Sequence, residues 1–390
     1  MSDNSGGWAR IDLDAISANV GQLRDRTSAG VMAVVKADGY GHGMVPSALA
    51  ALRGGASWLG VALPEEALHL REAGITAPVL SWLWTTGGPW AKAIAAHVDV
   101  SASAPWAVAE IADAARQVGR SARVHLKVDT GLGRSGSTPA EWRALVEAAL
   151  KASADGLVEV VAVWSHLACA DDPEHPSVAA QLAAFDQALA EARAAGLTPP
   201  LRHIANSPAT LLLPQAHYDL VRCGIASYGV SPAPLAGDAS SFGLRPAMSL
   251  AARVALVKRV RSGHGVSYGH TYSTAAETTL ALLPLGYADG VPRHASNVGP
   301  LLLGGRRRRI AGTVAMDQFV VDVGDDPIDV GDEALLFGPG DAGEPTAQDW
   351  AHAVGTIGYE IVTRVGARVP RRYVGDSRLL AEVAAAGGGG

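Results

Sequence analysis

The chain has 390 residues, more than one ordinary compact core holds, so two domains are expected. Apolar residues make up 48 % and the formal net charge is −6, which favours a folded, well-cored protein and argues against general nucleic-acid or membrane-surface binding. The two cysteines, Cys169 and Cys223, make no disulfide framework and fit a reducing compartment.

The start, Met1 to Gly7, is polar and lacks the apolar stretch of an export signal, and no window approaches the roughly 20 apolar residues of a membrane span. A cytoplasmic protein is expected. Short β-branched runs then alternate with Ala/Leu/Glu/Arg-rich stretches of helical period. The predicted strands are Val31–Lys36, Ser57–Ala62, Pro78–Trp82, His97–Val100, Arg123–Asp129, Glu159–His166, Leu201–Ile204 and Asp219–Cys223. Helices are predicted at Pro64–Ala73, Ala104–Val118, Pro139–Ala152 and Ser177–Ala195. Glu65 and Glu66 follow Pro64 as helix starts require, and Gly74 and Gly196 sit where C-caps belong. About eight strands with helices between, over roughly 230 residues, match an N-terminal (β/α)8 TIM-type barrel at 12–240. An open doubly wound sheet has the same alternation.

After about Phe242 helical stretches nearly vanish. Short alternating segments follow at Ser249–Val257, Glu277–Leu283, Gly299–Leu303, Arg308–Val314, Phe319–Asp322 and Glu333–Phe337, separated by turn pairs such as Asp289-Gly290. A mainly-β domain is therefore expected at 241–383. Its helical candidates are Gln348–Ala353 and Thr356–Thr363, and the Pro/Gly/Ser-rich stretch Ser231–Gly243 reads as the linker. The Ala/Gly stretch 384–390 reads as a disordered tail.

In a barrel, chemistry sits at the C-terminal ends of the strands. The first strand ends in Lys36 and runs into Ala37-Asp38-Gly39-Tyr40-Gly41-His42-Gly43. A glycine-rich turn lets a ligand approach closely, and a primary amine there suits imine formation with an aldehyde cofactor, pyridoxal 5'-phosphate (PLP). Strand five carries Lys127, with Asp129 and Arg134 beyond it. Strand six ends in His166. Strand seven carries His203, then Asn206 and Ser207. Strand eight carries Arg222, then Gly224 and Ile225. Singly, each has a bland reading as a core or rim residue. Together they make one basic pocket, in which Asn206-Ser207, Gly224-Ile225 and the Tyr40 phenol suit a phosphate and Arg222 points at a cofactor ring.

The segment Ala33 to Gly43 resembles the PLP-attachment motif of alanine racemases. The resemblance continues through Lys127 to Arg134, His203 to Ser207, Val221 to Ile225, Gly265-Val266-Ser267-Tyr268-Gly269, Gly286-Tyr287-Ala288-Asp289-Gly290, Met316-Asp317-Gln318, Tyr359-Glu360 and Ala367 to Arg371. It implies a PLP barrel with a β-domain, joined by an N-terminal strand within 1–11, in a head-to-tail homodimer. It implies that Lys36 and Tyr268 of the other subunit are the two catalytic bases of an L-/D-alanine racemase. It implies that Tyr40, His166, Asn206, Ser207, Arg222, Gly224, Ile225 and Tyr359 hold the cofactor, while Arg134 and the backbone of Met316 bind the substrate carboxylate. Lys127, often carbamylated in this family, His203, Tyr287 and Asp317 would support the site, and Asp171 and Arg293 would line a substrate corridor. D-alanine for peptidoglycan would be the product. Racemisation of another small amino acid such as serine is the first alternative, and a PLP-dependent decarboxylase of the same fold is the second. A non-catalytic PLP-binding barrel would need neither the β-domain nor Tyr268. The run Arg306 to Arg309 offers a nucleic-acid surface, but without interleaved aromatics it reads as a solvated hairpin.

Overall fold

Strand β1 (Gly7–Asp12) opens the chain in a computed structural model that describes residues 6–387. Asp12 ends the strand and caps the helix Leu13–Arg24, its Oδ1 accepting the Ala15 N–H at 3.0 Å. Eight parallel strands follow: β2 (Gly30–Val34), β3 (Trp58–Val61), β4 (Val79–Ser81), β5 (Asp99–Ala102), β6 (Ala122–Lys127), β7 (Val158–Trp164), β8 (Leu201–His203) and β9 (Leu220–Cys223). Ladders join them in the order β8-β7-β6-β5-β4-β3-β2-β9. Two backbone bonds span the remaining gap, Asp219 N–H to Arg202 O at 3.1 Å and Arg222 N–H to Ala205 O at 3.0 Å. The sheet is thus a nearly closed barrel, and the open doubly wound alternative is excluded because β2 and β9 pair.

Each predicted barrel strand lies where the β-branched runs placed it, within a residue or two at the ends. The expected helices occur at Pro64–Glu72, Pro105–Val118, Pro139–Ala154 and Pro176–Ala194. All four begin on a proline, whose missing N–H costs nothing there. Further helices at Leu13–Arg24, Met44–Arg53 and Trp90–Ala95 complete the outer layer around the sheet.

The second domain is built from β10 (Met248–Arg253), β11 (Leu256–Val260), β12 (Gly265–Val266), β13 (Tyr272–Ser273), β14 (Thr278–Leu283), β15 (Pro300–Leu303), β16 (Arg306–Ala311), β17 (Phe319–Gly324), β18 (Glu333–Phe337) and β19 (Arg371–Val374). Nine strands form one sheet ordered β11-β14-β17-β16-β15-β18-β10-β1-β19, into which β1 inserts antiparallel to β10 and parallel to β19. The expected single strand Ser249–Val257 is two strands. The chain changes neighbours between them: Val254 N–H bonds Asp332 O, while Ala255 N–H bonds Leu282 O. The expected tail is also shorter than the sequence indicated. A helix, Ser377–Ala385, runs through its first residues, capped by Asp376 and anchored by buried Leu379 and Val383; residues 388–390 lie outside the described residues. Residues 1–5 of the expected N-terminal strand segment lie outside them too.

The four consecutive arginines form the start of β16. Arg307 donates to the carbonyls of Gly343 and Glu344, Arg308 to Asp326 and Leu303 O, and Arg306 pairs with Asp326 at 3.2 Å, so three of the four are committed to the fold. One apolar core runs through both domains, from Ile11 and Val31 to Trp350 and Ile361. No described helix is long and apolar enough to cross a membrane.

Candidate active site

Lys36 follows β2 at the C-terminal mouth of the barrel. The next residues wind the wrong way for L-amino acids: Ala37, Asp38, Gly39 and Tyr40 have φ of 52°, 51°, 61° and 55°. Left-handed helix costs a non-glycine residue roughly 1–2 kcal/mol, so the surroundings must hold this turn. Glu66 does so from one side, its Oε1 accepting the Ala37 N–H at 2.6 Å while Oε2 accepts Ala62 and Leu63 N–H, both at 2.9 Å. Asp38 Oδ1 accepts the Met44 N–H at 2.8 Å, and buried His42 donates from Nδ1 to the Gly39 and Tyr40 carbonyls. Gly41 is obligatory at φ 82°, since a Cβ there would lie 2.5 Å from Val362 O of the second-domain helix Gly358–Thr363.

This turn carries Tyr40 to the other side of the mouth. A Cβ on Gly224 would lie 2.3 Å from the Tyr40 hydroxyl, so the phenol closes directly over the backbone after β9. Ser207 Oγ accepts the Gly224 N–H at 2.9 Å, and Asn206 Oδ1 caps the helix Ser207–Leu212 by accepting the Ala209 N–H. Tyr359 reaches the same place from the second domain, its ring 6.5 Å from that of Tyr40. Burial pushes both phenols well above their ordinary range, so each presents a neutral hydroxyl. Hydroxyls and N–H groups of Tyr40, Asn206-Ser207 and Gly224-Ile225 thus line one cup.

Across the mouth, Arg222 is 5 % exposed and held by four acceptors. Its Nη1 donates to His203 Nδ1 at 3.0 Å; its Nη2 faces Ser165 O, His166 Nδ1 and Ile204 O at 2.8, 3.0 and 3.2 Å. The Trp164 ring lies beneath it, 4.8 Å away. Burial draws its pKa down to about 9, still high enough to keep the guanidinium charged at neutral pH. Burial and then Arg222 push His166 well below its ordinary value, so it is a neutral imidazole. Lys127 sits over Trp164 at 4.4 Å and donates to Ser135 Oγ at 2.5 Å. Burial, Arg222 and Arg134 depress it to about 7, against the pull of Asp129. Lys36 is lowered too, first by burial and then by Arg134, with Glu66 opposing. A cluster of cations at a partly buried mouth lowers the basicity of both amines.

The structure therefore brings together Lys36, Tyr40, Lys127, Arg134, His166, His203, Asn206, Ser207, Arg222, Gly224, Ile225 and Tyr359. It does not bring Tyr268, Tyr287, Met316 and Asp317 into their contacts. Those four are exposed on the second domain, where Asp317 pairs with Arg368 at 2.8 Å and the Tyr268 carbonyl accepts from Thr313. Arg293 is tied to the fold through the Val314 carbonyl at 3.1 Å. Sequence reasoning missed Glu66 as the clamp of the left-handed turn, although its place just after Pro64 was visible. It also missed Gln181, whose amide donates to His166 O and Thr130 Oγ1 and steadies the end of β7.

A family profile described as "Alanine racemase, N-terminal domain" matches residues 11–232, and "Alanine racemase, C-terminal domain" matches residues 247–373. The alanine racemase of Frankia casuarinae is 63 % identical over 367 residues, covering 94 % of this chain and 96 % of that one. That of Streptomyces coelicolor is 61 % identical with the same coverage. A crystal structure of alanine racemase from D-cycloserine-producing Streptomyces lavendulae superposes with a TM-score of 0.95 at 58 % identity, covering 97 % of this chain and 99 % of that one. Two domain profiles in sequence and near-complete overlap with these enzymes leave one conclusion: the chain is an isomerase that belongs to the alanine racemase family.

Proposed function

We propose that the chain interconverts L- and D-alanine with PLP as cofactor, in a homodimer whose two active sites are each completed by the other subunit. The observation that carries this is the pairing, at one barrel mouth, of a lysine of reduced basicity with a buried arginine held by histidines and carbonyls. The residues fit PLP. Lys36 offers an amine, the Tyr40 and Ser207 hydroxyls and the Gly224 and Ile225 backbones offer a phosphate cup with Asn206 and Tyr359 beside it, and Arg222 would face the ring. When bound, this cofactor supplies an electron sink that acidifies the Cα–H of an attached amino acid.

Lys36 then moves a proton on one face of the substrate Cα. Tyr268 of the second copy moves one on the opposite face, so each enantiomer is deprotonated from its own side. Neutral His166, itself held by Arg222, is the group to orient the Tyr268 phenol as a base. Arg222 offers only donors, so it cannot accept a ring-nitrogen proton; this keeps the sink weak and discourages side reactions. Arg134 and the Met316 N–H bind the substrate carboxylate. A carbamate on Lys127 would position Arg134, and the neutral amine that CO2 addition requires is what the depressed pKa provides. Tyr287 narrows the approach, and Asp317, through Arg368, steadies the Met316 loop. Tyr268, Met316 and Tyr287 are 71 %, 52 % and 41 % exposed, which suits groups offered to another subunit. Two free cysteines fit a cytoplasmic enzyme supplying D-alanine to peptidoglycan.

The test is chiral analysis of products from a panel of L-amino acids given to purified, PLP-loaded protein. D-alanine is expected as the main product. No D-alanine would end the proposal, and a stronger response to serine would move it to the neighbouring racemase activity.

A further inference from the structure

A second polar chain runs from Arg222 away from the mouth, through the middle of the barrel. His203 Nε2 lies 3.0 Å from His125 Nδ1, and His125 Nε2 lies 3.2 Å from Asp99 Oδ2. The other Asp99 oxygen accepts from Arg123 Nε at 3.0 Å. His125 and His203 are fully buried, and Asp99 is 2 % exposed. The four links come from β9, β8, β6 and β5, so the chain crosses the barrel interior and joins the mouth to Arg123, partly exposed near the start of β6.

Chemistry fixes the direction of every hydrogen bond. Arginine can only donate, so His203 Nδ1 accepts and its proton sits on Nε2. That proton is donated to His125 Nδ1, which puts the His125 proton on Nε2, aimed at Asp99. Asp99 meets donors on both oxygens, as a carboxylate should. Which ring nitrogen of a histidine carries the proton is set by the partner of the other nitrogen; here two rings in series transmit the setting of one carboxylate.

We propose that Asp99 and His125 are positioning residues for Arg222: the carboxylate fixes the tautomer of both histidines, so that His203 presents a lone pair to the guanidinium and holds it in place. Neither residue touches the mouth, and both act only through His203. The proposed facing of Arg222 to the cofactor ring lends this positioning its catalytic meaning.

Asp99→Asn keeps shape but gives one donor face. Arg123 cannot accept, so the Asn oxygen turns to Arg123 and its amide N–H to His125. Both ends of the chain are then donors, so one bond must fail: if His125 accepts from the amide, its proton moves to Nδ1, His203 follows, and an N–H is left against Arg222 in place of the lone pair. Histidine-selective 15N solid-state NMR of the holoenzyme is expected to show His203 protonated on Nε2 in the parent and altered in Asp99→Asn. Partners that orient a metal-bound histidine are worth about 10–100-fold; by the same order, the transamination side reaction, in which alanine leaves as pyruvate and its amino group passes to the PLP aldehyde, should rise about tenfold per racemisation event. His125→Phe, which keeps a ring but removes both links, should raise the same ratio and carries the test alone if Asp99→Asn does not yield soluble protein. An unchanged His203 signal with a parental pyruvate ratio in whichever variants fold overturns the proposal. The tautomer readout stands apart from the role of Arg222: a shifted signal with a parental ratio supports the relay and counts instead against Arg222 facing the ring.

Discussion

The barrel mouth and the Tyr268 segment of the second domain are prepared in opposite ways. In the barrel, side chains are fixed: Arg222 has four acceptors and a tryptophan face, and Lys127 has both a hydroxyl and a ring. On the second domain it is the backbone that is fixed. Tyr268 stands between strands of two residues each, flanked by Ser267 at φ 58° and His270 at φ 45°. Ser267 Oγ donates to Thr313 O at 2.6 Å, and Thr313 Oγ1 returns a bond to the Tyr268 carbonyl at 2.8 Å. The phenol itself projects outward, 71 % exposed. Strain concentrated beside an unengaged side chain is what the proposed role of Tyr268 in another subunit's site would require. In the proposed dimer, one half of the site would be preorganised by packing and the other by backbone, with the join made on assembly.

The sharpest way to break this comparison is to remove the barrel amine. We predict that Lys36→Ala lowers racemisation by about 10⁴-fold or more, the upper range for a positioned acid/base group, as read by chiral chromatography; residual activity near the parent would dismiss Lys36 as the base. Tyr268→Phe should cost about 10²–10⁴-fold. If the two halves come from different chains, mixing Lys36→Ala and Tyr268→Phe subunits restores one intact site in each mixed dimer, about a quarter of parental activity at random assembly. No recovery on mixing would place both groups in one chain.

A smaller effect concerns Lys127. Its folded pKa is depressed from 10.5 to about 7, so the sign is the reverse of a salt-bridged lysine. The cost of burying its charge is present in full below pH 7 and is relieved as pH rises from 7 towards 10.5, where the unfolded chain binds the extra proton. Uptake of one CO2 on Lys127, followed with 13C-labelled bicarbonate by NMR, should rise as pH passes about 7. A free amine at every pH would exclude the carbamate. The smallest effect lies in the left-handed turn. Ala37→Gly should stabilise the protein by about 1 kcal/mol or less, since exposed Ala37 sits at φ 52°. Urea denaturation measures this, and a loss of stability would mean that the turn tolerates its handedness without strain.

The eight barrel strands were legible because buried parallel strands read as unbroken apolar runs, and Pro64 and Pro139 marked two of the helix starts, while Pro105 and Pro176 lie one residue from the expected starts of the other two. The mouth residues were legible because they end strands. The second-domain strand pattern blurred where the chain swaps partners at Val254 and Ala255, an event with no local signature. His125 lies in Ala122–Lys127, between Arg123 and Lys127 on the alternate positions of the strand. Lys127 drew notice and His125 did not, because a histidine in mid-strand gives no hint of a partner 78 residues away. Asp99 was equally silent, since nothing local tells a buried carboxylate from a strand-start one. The handedness of residues 37–40 was hidden as well, because only Gly39 among them advertises it.

The seam between β8 and β9 has a thermodynamic consequence. Seven junctions of the barrel are strand ladders, whereas this one holds by two backbone bonds, the Arg202–Asp219 pair and the side-chain stitch of Arg222. Asn206 and Ser207 follow one lip of the seam, and Gly224 and Ile225 follow the other. A phosphate gripped by both lips would act as the missing rung, so ligand affinity and barrel closure are linked functions. Amide exchange at Asp219 and Arg222 should then slow with occupancy of the cup, which makes this junction a gauge of its loading.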